Sequence, residues 1–433
     1  MSKWKVCKLG EVAEIVGGGT PKTEVSEYWN GEIAWLTPRD LSNFNGRYIS
    51  KGERNISKLG LAKSSAKILP KGTVLLSSRA PVGYLAIAKN EVSTNQGFRN
   101  LIPNSETDNL FLFYLLKNNV EYLKSQAAGT TFGELAGSTL KSLSFLFPPL
   151  PEQRAIAHIL GTLDDKIELN RRMNETLEQM ARAIFKSWFV DFEPVRAKMS
   201  GRWKKGESLP GLPAHLWDLF PDRLVSSALG EIPEGWEIST VGREANIIKG
   251  VSYRSKELLE SKTAMVTLKS FNRGGGYRPD GLKPYIGDFR KEQIIQPGEL
   301  IVAQTDVTQA AAVIGKPALV LPDKHFTTLV ASLDVLIIRP KTNDLSTEFF
   351  YLLFLTSEFE DHIRRHTNGT TVLHLGKNGM PSFRFIKPPP HITYYFSEHV
   401  KSIFKQIRMN FEESVVVASL RDTLLPRLIN GKM

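Results

Sequence analysis

One pattern appears twice in the chain, and this limits the possible folds more than any local feature. Trp4-Lys5-Val6-Cys7-Lys8-Leu9-Gly10-Glu11-Val12-Ala13-Glu14-Ile15-Val16-Gly17-Gly18 returns as Trp236-Glu237-Ile238-Ser239-Thr240-Val241-Gly242-Arg243-Glu244-Ala245-Asn246-Ile247-Ile248-Lys249-Gly250. Trp, an aliphatic-Gly pair, Ala, Ile and Gly recur 232 positions apart. Gly129-Thr130-Thr131 recurs as Gly369-Thr370-Thr371 and Pro148-Pro149 as Pro388-Pro389, both 240 positions on. A period this long excludes a solenoid and means two copies of one domain. Whatever one copy binds, the other can bind in a related form.

Each half has the same order: a mixed globular stretch, a proline hinge, then a long helix. Val74-Leu75-Leu76-Ser77 and Tyr84-Leu85-Ala86-Ile87 read as short strands, 108–123 as a helix, and 143–147 as a closing strand. The second half repeats this with strand 300–303, a helix over 347–360 and strand 383–386.

After each hinge, apolar residues step by 4 and 3. Ile156, Leu160, Leu163, Ile167, Asn170, Asn174, Leu177, Ala181 and Ile184 hold the 3.5-residue period of a coiled-coil seam. Shifted by 240, the register gives Phe396, Val400, Ile403, Ile407, Asn410, Ser414, Val417, Arg421 and Leu424, broken only at Arg421. A helix over 152–188 spans ~55 Å at 1.5 Å per residue and must bury its seam. The natural partner is the other copy, packed antiparallel about a pseudo-twofold axis, with Asn170 and Asn410 near the middles as register-fixing polar residues. Trp188 and Phe189 lie just past the last heptad position and are expected either to anchor a docked subunit or to pack against a neighbouring domain of the same chain. The fold class expected is therefore α+β, with two similar globular domains at 1–150 and 233–390. Helices at 151–190 and 391–433 follow them, with a linker at 191–232 whose Trp203, Leu216, Trp217, Leu219 and Phe220 should pack on a surface.

Composition narrows the function. The net charge of +11 favours a polyanionic partner, nucleic acid first. No run approaches the length of a membrane span, and no secretory h-region opens the chain, so a cytoplasmic location without membrane contact is expected. The single cysteine, Cys7, excludes an internal disulfide.

Several segments resemble the specificity subunit of type I restriction-modification enzymes, the HsdS family. They are Pro148-Pro149-Leu150-Pro151-Glu152-Gln153-Arg154, Leu163-Asp164-Asp165-Lys166-Ile167 with Asn170, and Ile184 to Pro194. Leu229 to Trp236 and Leu420 to Leu428 add to the set. The resemblance implies two target-recognition domains, each reading half of a split double-stranded DNA sequence, held apart by helical spacers. It implies as partners two modification (methyltransferase) subunits, and restriction (translocase/endonuclease) subunits. No cofactor is expected on this chain; S-adenosylmethionine and ATP/Mg belong to the partners. Pro390-His391-Ile392-Thr393-Tyr394 departs from the Leu-Pro-Glu-Gln-Arg helix entrance.

The sequence carries no recognisable catalytic motif. Gly17-Gly18-Gly19-Thr20-Pro21-Lys22 has the wrong spacing for a phosphate loop and reads as a tight turn. No Asn/Asp-Pro-Pro-Tyr/Phe occurs, and His362 with His366 lacks a third metal ligand nearby. No catalytic residue and no metal site is assigned. The alternatives are an unrecognised DNA methyltransferase or nuclease, and a coiled-coil adaptor that binds nucleic acid without sequence preference.

Base edges are read by Arg, Lys, Asn and Gln in loops. Candidates in the first half are Arg39, Arg79, Asn95, Gln96 and Arg99; in the second, Lys269, Arg273, Gln304 and Gln309. The loops differ between halves: Arg79 aligns near Thr305, and Asn95-Gln96-Gly97-Phe98 has no copy. The expected target is asymmetric, with two blocks about one helical turn apart, ~34 Å or 10 bp.

Overall fold

The computed structural model describes every residue except 1–3, 43, 45, 129–132, 308–310 and 433. The mixed α+β chain forms two compact units, Met1–Asn170 with Glu413–Met433, and Arg171–Glu412. Two long helices, Leu150–Phe185 and Pro390–Ile429, contribute to both.

In the first unit a five-stranded sheet runs in the order Ala13–Gly17, Phe98–Pro103, Val74–Ser78, Val82–Ala88, Tyr48–Ile49. Val74–Ser78 is buried along its whole length and pairs on both sides, which its unbroken apolar start requires. Arg54–Ile56, Trp29–Leu36 and Ser93–Thr94 form a second sheet. Lys5–Lys8 pairs antiparallel with Ser144–Phe147, closing the domain at the helix entrance. The helix expected over 108–123 is two helices, Asn109–Asn118 and Val120–Ser125. Asn119 Nδ2 donates to Leu115 O at 2.8 Å, so its amide competes for a helical carbonyl and ends the first segment.

The second unit repeats this frame. Ala245–Lys249, Val335–Pro340, Leu300–Ala303 and Pro317–Leu319 form an antiparallel sheet in the corresponding order. Glu237–Thr240 pairs with Arg384–Lys387 at the second helix entrance. Here too the expected helix splits, into Thr347–Leu353 and Ser357–Arg365, because Thr356 caps the second piece by accepting from Phe359 N. The linker belongs to this core: Trp203 is buried with Trp217 5.1 Å away, and Lys198 lies over Trp217 at 4.4 Å.

Helix pairing is seen within each unit. In the first, Arg421 Nη1 donates to Asp164 Oδ1 at 2.6 Å, Lys166 meets Glu413 at 2.9 Å, and Asn170 Nδ2 donates to Glu413 at 2.9 Å and to Ser414 Oγ at 3.2 Å. In the second, Asn410 Nδ2 donates to Asn174 Oδ1 at 2.8 Å and Phe189 meets Phe396 at 4.8 Å. One index rises as the other falls, so both stretches are antiparallel. Every seam position from Ile156 to Leu424 is buried or half-buried, with Asn170 and Asn410 only 1% and 3% exposed. Arg421, the break in the heptad pattern, is the cation that neutralises Asp164.

Of the two uses expected of Trp188 and Phe189, the structure shows packing within the chain. They are 1% and 6% exposed in the π-helical turn Lys186–Val190. That wider turn rolls them inward, Trp188 onto Phe220 at 5.1 Å and Phe189 onto Phe349 at 5.2 Å. The two helix entrances also differ. Gln153 is buried, accepting from Asp108 N and donating to Glu106 O and Pro148 O. Thr393 replaces it with one bond to Pro390 O, and His391 meets the linker at Leu219 O.

A buried network fixes the first domain to its helices. Tyr114 Oη donates to Asp164 Oδ2 at 2.6 Å, and Arg47 adds contacts to Tyr114, Asp164 and Asp165. Burial pushes the Asp164 carboxyl up, but Lys117, the Tyr114 hydroxyl and Arg421 together hold it below the usual range. Its contribution to stability is therefore fully present above the 3.8 of a free aspartate and lost as the pH falls below it. Asp164→Ala, which leaves Tyr114 without its acceptor and Arg421 with its exposed neighbour Asp422, should cost about 3 kcal/mol in urea denaturation at pH 7. Asp164→Asn should flatten the acid limb of stability against pH.

Candidate nucleic-acid interface

Three turns meet at one edge of the first domain. A Cβ on Gly18 would lie 2.0 Å from Asn95 O, and one on Gly97 2.9 Å from Pro38, so only glycine lets these turns nest. Gly19 N donates to Thr94 O, and Gly19 O accepts from Trp35 Nε1. The glycine run is thus a packed turn. Asp40 accepts from Thr37 N and Oγ1 and from Glu53 N, and its neighbour Arg39 is exposed.

Arg79, Gln96 and Arg99 gather at this edge. Arg99 Nη2 donates to Glu134 Oε1 at 2.7 Å, and Arg79 Nη1 lies 3.8 Å from the same carboxylate. Gln96 is exposed and accepts from Thr20 Oγ1. Asn95 has a structural use, its Oδ1 accepting from Gly97 N at 2.9 Å to shape the turn. Arg39 stands on the adjoining turn.

The corresponding edge of the second domain is built the same way. A Cβ on Gly250 would lie 2.0 Å from Ser332 O. Lys269 and Arg273 are exposed on a loop whose glycines Gly274, Gly275 and Gly276 have φ of +86°, +109° and +91°. Gln304 is half-buried with both backbone groups bonded, its N–H to Asp334 O and its carbonyl from Leu375 N. Thr305 Oγ1 donates to Asp334 Oδ1 at 2.8 Å, and Thr305 pairs with His374 across a short ladder. Asp306 accepts from Val313 N and Ile314 N. Gln309 lies outside the described residues, as does the first Gly-Thr-Thr copy.

Sequence reading missed Thr20, Glu134, Tyr253, Asp334 and His374. Tyr253 stands near Asp334; burial first, then that carboxylate, pushes its hydroxyl up. The one available signal was the repeated Gly-Thr-Thr, which leads to Glu134 in one copy and His374 in the other.

The two edges offer different chemistry on one frame. The first presents guanidinium forks and an amide, suited to acceptor edges such as guanine O6 and N7. The second exposes Lys269, Arg273 and the His374 imidazole, with the Asp334 carboxylate half-buried. Among the described residues no group of three or more His, Cys, Asp or Glu could hold a metal ion. His362 and His366 stack at 4.1 Å, with ring nitrogens tied to Gly379 O and His362 O. No described helix is long and apolar enough to cross a membrane.

Known proteins resemble this chain in sequence and fold. The family model for the type I restriction modification DNA specificity domain matches residues 1–179. The type I restriction enzyme MjaIX specificity subunit of Methanocaldococcus jannaschii is 33% identical, over 99% of this chain and 93% of that protein. The HindI specificity subunit of Haemophilus influenzae is 26% identical over the full length of both. The crystal structure of the type I restriction-modification S subunit from M. genitalium has a similar fold, with a TM-score of 0.53 and 16% identity over 99% of this chain and 96% of that one.

Proposed function

The chain belongs to the family of type I restriction enzyme specificity subunits, and on that premise we propose that it is the non-catalytic subunit that selects a bipartite, asymmetric DNA target. The observation that carries this reading is one frame built twice with different side chains at the same edge. Arg79 and Glu134 stand where the second domain has Thr305 and His374, and Arg99 stands where it has Leu336. A binder indifferent to sequence gains nothing from two different edges, and its affinity would be wholly salt-sensitive.

Chemistry then falls to partners: modification subunits with S-adenosylmethionine, and restriction subunits with ATP and Mg. With Trp188 and Phe189 buried, docking passes to apolar residues exposed on the long helices. The first unit exposes Leu169, Val416 and Leu420; the second exposes Met173, Met180 and Met409. Leu169 matches Met409, and Met180 matches Leu420, at the 240-residue offset of the repeat. Exposed apolar groups at matching positions are what two copies of one partner would cover.

Methylome sequencing of cells expressing the chain with its modification subunits should return two short specified blocks around an unspecified gap. Exchanging segment 77–99 for that of a relative with another target should alter only the first block. A continuous or palindromic motif would refute two different readers. Native mass measurement of the purified complex should show two modification subunits per chain; a count of one would refute the paired docking surfaces.

A further inference from the structure

Five residues after the glycine of each Gly-Thr-Thr stand Glu134 and His374. Both occupy one place in the shared frame. Leu135 N donates to Ser78 O at 2.9 Å in the first domain, and Leu375 N donates to Gln304 O at 2.9 Å in the second. The residue before each leucine therefore stands beside the residue after each carbonyl: Glu134 beside Arg79, His374 beside Thr305.

We propose that this place is a specificity position in each domain, and that Glu134 is a positioning residue that aims Arg79 and Arg99 at the bases of the first half-site. The proposal rests on the chain being a DNA specificity subunit. Arg99 is held in one plane: Nη2 donates to Glu134, and Nη1 donates to Phe98 O at 3.0 Å and to Gln96 O at 3.4 Å. Arg79 shares the carboxylate from the other side, so one acid holds together two cations that would otherwise repel. Both ends of this contact remain partly open, with Arg79 38% and Glu134 39% exposed. An acid at a DNA-facing edge weakens grip on a polyanion, so Glu134 serves selection at the expense of affinity. A fork fixed before binding loses less freedom when it meets a base. In the second domain exposed His374 pairs with Thr305, which is buried with its hydroxyl on Asp334, so a single imidazole stands in place of the paired guanidiniums.

The test uses the full complex with its modification subunits, as wild type, Glu134→Gln and His374→Ala, each read by methylome sequencing. Glu134→Gln should loosen at least one base pair of the first block, its discrimination there falling about tenfold. Its second block should stay intact, which also certifies the fold. Binding to unrelated duplex at low salt should rise. His374→Ala should loosen only the second block. If a variant stops methylation, competition between duplexes altered in one block or the other reads the same discrimination. A Glu134→Gln complex with an unchanged first block, or with both blocks loosened equally, would overturn the proposal. A wild-type complex with no sequence motif would overturn the reading beneath it, and the proposal with it.

Discussion

Each recognition domain is fastened to the long helices by a tyrosine whose hydroxyl is buried against a charged pair. Tyr114 donates to Asp164, which Arg421 neutralises from the other helix. Tyr351, from the corresponding helix of the second domain, donates to Glu178 at 2.7 Å, and Arg182 neutralises that carboxylate. Phe404 stands 240 positions after Asp164 and meets Tyr351 edge-on at 5.7 Å. The carboxylate thus changes position between copies while the attachment survives. A buried ion pair contributes little net stability, but removing one partner is costly, so such a joint favours one geometry over its neighbours. A reader of base edges needs that rigidity.

Frame and reading surface diverge at different rates within one chain. The sheet order, the closing ladders and the glycine turns at Gly18 and Gly250 persist in both copies. Side chains at the sheet edge do not. Glycine persists because a Cβ would strike backbone 2.0 Å away, a clash no neighbour can relieve. Arg79 and Thr305 differ because each is held by a partner of its own domain, Arg79 by Glu134 and the buried Thr305 by Asp334.

The helices were legible because a 3.5-residue period over nine positions has one physical meaning, and both Asn residues fell on it. Arg79, Gln96 and Arg99 were legible as polar residues in glycine-marked loops. Glu134 was not, since its partners lie 55 and 35 positions earlier and only the folded sheet brings them together. For Trp188 and Phe189 the sequence left docking and internal packing both open. Aromatics after a heptad run suggest an open anchor, but a single wide turn changes the face they present. The split helices at Asn119 and Thr356 show that a capping side chain can outweigh an apolar pattern running through it.

The closing ladders place each domain's entrance and exit side by side. Lys5 lies opposite Phe147, and Glu237 opposite Lys387, in antiparallel register. Everything between such paired ends is a cassette: it can be lengthened, shortened or exchanged while the chain still leaves where it came in. Recombination between genes of this design can trade whole readers and leave the helical frame untouched. One scaffold can in this way accept new pairs of domains without a new fold having to arise.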